Sequence, residues 1–134
     1  MHNTARAFDR TDAAVPEARL FARKSLDSVG PDLLDNVLLC VSELATNAVL
    51  HGVPAGGQFL LKVDSDAQRV RVECHDSRRQ RPRKRTPTSD DPNGRGLLLV
   101  EALSSRWGVG TRPFGKFVWF ELDLDLDQEG DDRC

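Results

Sequence analysis

The chain of 134 residues has no tyrosine, two tryptophans and six phenylalanines, and its most basic stretch, residues 78–85, has no aromatic residue at all. That stretch carries Arg78, Arg79, Arg81, Arg83, Lys84 and Arg85. Without rings to stack on bases it makes a poor single-strand binder, and the formal net charge of −2 supplies no global attraction for nucleic acid or anionic lipid. Cysteine is scarce too. Cys40, Cys74 and Cys134 cannot all pair within one chain and none stands in a C-x-x-C spacing, so a disulfide framework and a zinc or redox pair are both disfavoured. Cys40 and Cys74 read as core thiols in reducing surroundings. The N-terminus MHNTARAFDR lacks the apolar region of a secretory signal, and no apolar run approaches the roughly 20 residues of a membrane span. The expected setting is cytoplasmic, away from membranes.

What is present fits one globular domain with a single core. Residues 1–14 form a mostly polar N-terminal segment in which Ala5, Ala7 and Phe8 suggest a short edge strand, residues 15–124 the domain proper, and residues 125–134 an acidic tail. Residues 38–52, LLCVSELATNAVLHG, are the most informative. At about 100° per residue, Leu34, Val37, Leu38, Val41, Leu44, Ala45 and Ala48 share one apolar face of a helix that starts near Asp32 and stops at His51 and Gly52. Glu43, Asn47 and His51 follow at intervals of four along another side, flanked by Leu39 and Leu50. A carboxylate and a carboxamide among apolar neighbours call for a partner, and a ligand could be that partner. Such a pair is also what an ordinary solvent-facing helix carries.

Residues 90–103, DDPNGRGLLLVEAL, set Gly94 and Gly96 ahead of an apolar helical run. Glycines leave backbone N–H groups unobstructed, and a helix N-terminus favours anions, so the pattern suits phosphate. A flexible loop before a helix would look the same. Elsewhere, Val15, Ala18, Leu20, Phe21, Ala22, Ser25, Leu26 and Val29 repeat with helical period over 15–29, with Pro16 in the first turn. Residues 58–64 and 69–75 alternate as adjacent strands joined by a short linker, which puts Asp76 just past a strand end and Cys74 and His75 on opposite faces. Residues 78–93 read as a loop. The third helix is expected over 95–107 with Leu98, Leu99, Ala102 and Leu103 inward, followed by strands at 107–111 and 116–124. The fold class is α+β, a two-layer sandwich with a mixed or largely antiparallel sheet and helices on one face.

These segments resemble the GHKL ATPase and kinase superfamily, which includes gyrase, histidine kinases and mismatch-repair ATPases. They most closely resemble bacterial anti-sigma factor serine/threonine kinases and their actinobacterial ATP-binding relatives. The residues carrying the resemblance are VSELATNAVLHG (41–52), HDS (75–77), GRGLLLVEALSSRWG (94–108) and GKFVWFEL (115–122), in the family's order. The resemblance implies the Bergerat ATP-binding fold, with ATP and Mg²⁺ as cofactors. It implies that Asn47 offers its side-chain oxygen to Mg²⁺, that Glu43 is the general base, and that Asp76 accepts a hydrogen bond from the adenine amino group. Gly94, Arg95, Gly96 and Leu97 match the phosphate-side glycine box. His51 and Lys116 are candidate contacts at the phosphate edge, though a helix-end histidine and a solvated strand lysine are equally ordinary.

The implied activity is phosphorylation of an anti-anti-sigma factor-like protein, with a sigma factor as a further partner and homodimers common among relatives. Two departures stand out. Ser77, Arg78 and Arg79 occupy positions where many members carry glycine, and Lys116 and Phe117 follow Gly115 where histidine-kinase relatives place a hydroxyl residue. These favour a rival reading, a non-catalytic protein-binding module on the same fold with weak or lost nucleotide binding. A third reading, nucleic-acid binding through the arginine run, has the composition against it.

Overall fold

The computed structural model describes residues 2–52, 56–76, 92–113 and 115–124. In chain order these form β1 (His2–Asp9), α1 (Ala14–Ser25), α2 (Pro31–Asn47) continued by a π-helical turn (Ala48–Gly52), β2 (Gln58–Ser65), β3 (Arg69–Asp76), α3 (Pro92–Leu103), β4 (Arg106–Arg112) and β5 (Gly115–Asp123). The strands make one sheet in the order β1-β2-β3-β5-β4, and every neighbouring pair is antiparallel. Of the mixed or largely antiparallel order expected, the described strands take the antiparallel one. Short turns join β2 to β3 and β4 to β5, and a short turn admits only antiparallel neighbours.

The β2–β3 turn is fixed by Asp66, whose carboxylate accepts hydrogen bonds from the backbone N–H groups of Gln68 (2.7 Å) and Arg69 (3.0 Å). At the sheet's other end, Phe8 of the edge strand β1 stacks on Phe59 of β2 with ring centroids 5.4 Å apart and meets Phe21 of α1 edge-on. Thus the N-terminal segment is a full strand of the sheet rather than an appendage.

Alternation along the strands sends Phe59, Leu61, Val63, Val70, Val72, Cys74, Phe120 and Leu122 into the core. The helices cover that face. α1 presents Ala14, Ala18 and Ala22, all buried and four apart, so small side chains let it lie close to β1, β2 and α2. Leu20, two residues from Ala18, points away and is 49% exposed, against its expected inward place. α2 begins with Gly30 as its N-cap and Pro31 in the first turn, where the missing N–H costs nothing. Its expected apolar face is the wall of the core, and Cys40 is buried with it. By length and composition Pro31–His51 could cross a bilayer, but Val37, Leu38, Val41, Leu44 and Ala45 of that segment belong to the core under the sheet.

α3 differs most from expectation. It starts at Pro92, so Gly94 and Gly96 lie inside its first turns, and it ends at Leu103, where the N–H of Ser105 donates to the carbonyl of Glu121 (2.8 Å) and draws the chain into β4. Trp107 accordingly belongs to β4. Val100 is its buried residue, flanked by half-buried Leu97, Leu99 and Leu103, whereas Leu98 (62% exposed) and Ala102 face out. A run as uniformly apolar as LLLVEAL does not reveal by periodicity which side is inward.

Among the described residues the opposite face of the sheet is covered by side chains and not by a helix. Arg71 bridges Glu73 and Glu121 (2.8 Å each), and Arg106 bridges Glu121 (2.8 Å) and Asp123 (2.9 Å). Beneath them Trp119 lies under the Arg71 guanidinium, and Phe117 stacks on His75 with centroids 4.6 Å apart. Both β5 rings lie across the glycines of β4, and an added methyl at Gly110 would overlap the Phe117 ring.

Candidate functional site

The topology brings the motifs singled out in the sequence to one end of the sandwich. Phe59 pairs with Asp76, His75 with Phe117, and Arg112 with Gly115, so the start of β2, the end of β3, the end of β4 and the start of β5 share an edge. α2 runs toward that edge, because its last turn leads through residues 53–57 into β2. α3 runs away from it, because its C-terminus enters β4 beside Glu121. The C-terminal end of α2, the end of β3, the start of β5 and the N-terminal end of α3 are thus neighbours. α2 and α3 pack side by side between them.

Glu43 and Asn47 are half-buried on α2, and His51 is exposed in the π-helical turn. Among the described residues neither Glu43 nor Asn47 has a hydrogen-bond or ion-pair partner, which leaves a carboxylate and a carboxamide one helical turn apart with free oxygens. Exposed Leu39 (48%) and Leu50 (57%) flank this stripe. Asp76 is the last residue of β3, and the register after His75 and Phe117 brings it next to Lys116, which is exposed on β5. Gly94, Arg95, Gly96 and Leu97 occupy the first turns of α3, with Leu97 half-buried against the core. The side chains of Asp76 and of residues 92–96, residues 77–91 with the arginine run, and residues 125–134 lie outside what the structure describes.

Burial, with the Glu43 carboxylate nearby, pushes the Cys40 thiol up to about 12, so it stays protonated and unreactive at neutral pH. The α2 C-terminus is tied to the sheet at two points. The Cys74 thiol lies 3.9 Å from the carbonyl of Leu44, and the Arg10 guanidinium donates through Nε to the carbonyl of Val49 at 2.7 Å.

Residues 8–122 match the family described as the histidine kinase-like ATPase domain. The chain belongs to that family. This GHKL-type domain also resembles a solved structure, the RsbU and RsbW domains of Rv1364c from Mycobacterium tuberculosis, at 19% identity and a TM-score of 0.71. The likeness covers 92% of this chain and 33% of that one, so the GHKL-type chain spans about a third of that protein's length. At such identity it speaks for the fold alone. Among curated proteins none matches.

The donor set suits a magnesium ion shared with phosphates. Mg²⁺ takes hard oxygen ligands and keeps several waters, so one carboxamide oxygen with a carboxylate one turn away is a sufficient protein contribution. No cluster of three His, Cys, Asp or Glu occurs among the described residues. Arg10 is the neighbour that the sequence did not reveal. It follows an edge strand and acts 39 residues away from its partner, a separation with no local signature.

Proposed function

We propose that this protein binds Mg²⁺-ATP at the end of the sandwich shared by α2, β3, β5 and α3, and acts as an anti-sigma factor-type serine/threonine protein kinase on an anti-anti-sigma factor-like protein. What supports the reading is one observation above all. A chain of the histidine kinase-like ATPase family contributes a helix whose Glu43 and Asn47 have no partner among the described residues, at the edge that also carries Asp76 and the glycine-bearing start of α3.

In this reading Asn47 holds the metal through its side-chain oxygen, and the bound ion supplies charge neutralisation on the phosphates. Glu43 accepts the proton of the attacking hydroxyl, a task for a carboxylate that is free of internal ion pairs. Asp76 selects adenine by accepting from its amino group. The N-terminal N–H groups of α3 around Gly94, Arg95 and Gly96 receive the phosphates, with His51 and Lys116 at their edge. Sequestration of a sigma factor would follow from protein contacts outside this edge.

The test has two stages. Titration with Mg²⁺-ATP should raise the unfolding temperature, since ligand at 100 times its dissociation constant adds about 2.7 kcal/mol. Labelled ATP should then transfer phosphate to a serine or threonine of an anti-anti-sigma-type protein, and Glu43→Gln should abolish transfer while leaving binding. Absence of any stabilisation by Mg²⁺-ATP would sink the reading. It would favour the second one, a protein-binding module that has lost its nucleotide. That alternative is motivated by Ser77, Arg78 and Arg79 in place of glycines and by the helical conformation of Gly94 and Gly96.

A further inference from the structure

We infer that Arg10 is a positioning residue for the metal-binding end of α2, an inference that rests on the reading of Asn47 as the Mg²⁺ ligand. The last carbonyls of any helix lack partners within it, and here the final turn is of the wider π type, which is uncommon and local. The N–H of Ala48 is shared between the carbonyls of Leu44 and Ala45, which marks where the regular ladder loosens immediately after Asn47. In the turn that follows, Val49 turns its side chain into the core while its carbonyl accepts the short bond from Arg10 Nε, 2.7 Å. That bond also sets a cation against the negative end of the helix.

The donor is itself anchored. The backbone N–H of Arg10 donates to the carbonyl of Gly57 (3.1 Å), the Gln58 amide donates to the Asp9 carboxylate (2.8 Å), and Phe8 is stacked on Phe59. Arg10 therefore transmits the rigidity of the β1–β2 ladder to the turn that carries Asn47 on one side and His51 on the other. Without it the turn samples released states, and ligand affinity falls by the fraction of molecules that remain competent. A charge-assisted bond of this kind shifts such an equilibrium by roughly tenfold.

Calorimetry of ATP binding with Mg²⁺ and with a chelator decides the matter. Arg10→Ala should weaken Mg²⁺-ATP about tenfold, leave metal-free ATP affinity unchanged, and add no further loss to Asn47→Ala; Arg10→Lys should recover most of the affinity. If Arg10→Ala does not fold, Arg10→Gln, which keeps the aliphatic stem, takes its place with the same expectation. Unchanged Mg²⁺-ATP affinity overturns the inference, as does a loss that is equal with and without metal or additive to Asn47→Ala. If the unaltered protein binds no Mg²⁺-ATP, the reading of the site fails instead. Amide exchange at Ala48–Gly52, expected to quicken in Arg10→Ala, then still reports whether the clamp exists.

Discussion

At Asn47 a single carboxamide carries the proposed metal contact, and its half-exposed position means that stability owes it little. Asn47→Ala should weaken Mg²⁺-ATP binding at least tenfold while changing stability, read from urea unfolding, by less than about 0.5 kcal/mol. Calorimetry and denaturation on the same preparation check both halves. Gly110 behaves oppositely, because a methyl there meets the Phe117 ring, which is itself pinned against His75. Gly110→Ala should cost about 1–3 kcal/mol of stability, read from denaturant midpoints. The stripe of Glu43, Asn47 and His51 was legible because helical spacing of four is a local signal. The stacking of Phe117 across Gly110 was not, since it depends on strand pairing that no spacing within β4 or β5 announces.

Among the elements, α1 shows how side-chain size sets layer spacing. Ala18 and Ala22 have no exposed surface, so Ala22→Leu would force α1 from the sheet and should lose about 1–3 kcal/mol, detectable as a lower melting temperature. The same residues explain an error of reading: an alanine ridge carries less hydrophobic contrast than Leu20 beside it, so periodicity put Leu20 inward. α2 was legible nearly in full, because its apolar and polar sides differ sharply. α3 was not, because its apolar run surrounds the axis. Its start was displaced to Pro92, a residue as compatible with a first helical turn as with a loop. The antiparallel order of the whole sheet could be anticipated only where a short linker joined two strands.

Taken as a whole, the molecule carries its acid sensitivity on the sheet face away from the helices. Burial alone would raise Glu73 and Glu121, but bonds from His75 and Arg71 to the first, and from Arg106 and Arg71 to the second, outweigh it and hold both below the usual carboxylate range. Asp123 is lowered by its bond to Arg106. Carboxylates with lowered folded values stay charged where those of the unfolded chain have already taken up protons. Their contribution is complete above the ordinary carboxylate pKa and is lost as pH falls through the lowered values. Stability should therefore decline below about pH 4, and Glu121→Gln should flatten that decline, as measured by urea midpoints across the acid range.

The two sealed sulfurs give the fold a stopwatch. Cys40 sits in α2 about two turns before Asn47, and Cys74 two residues before Asp76, and both are buried, so a reagent reaches them only when the layers part. The rate at which a thiol dye reaches each of them measures how often that part of the interior opens. Saturating Mg²⁺-ATP should slow both rates together if it bridges helix and strand.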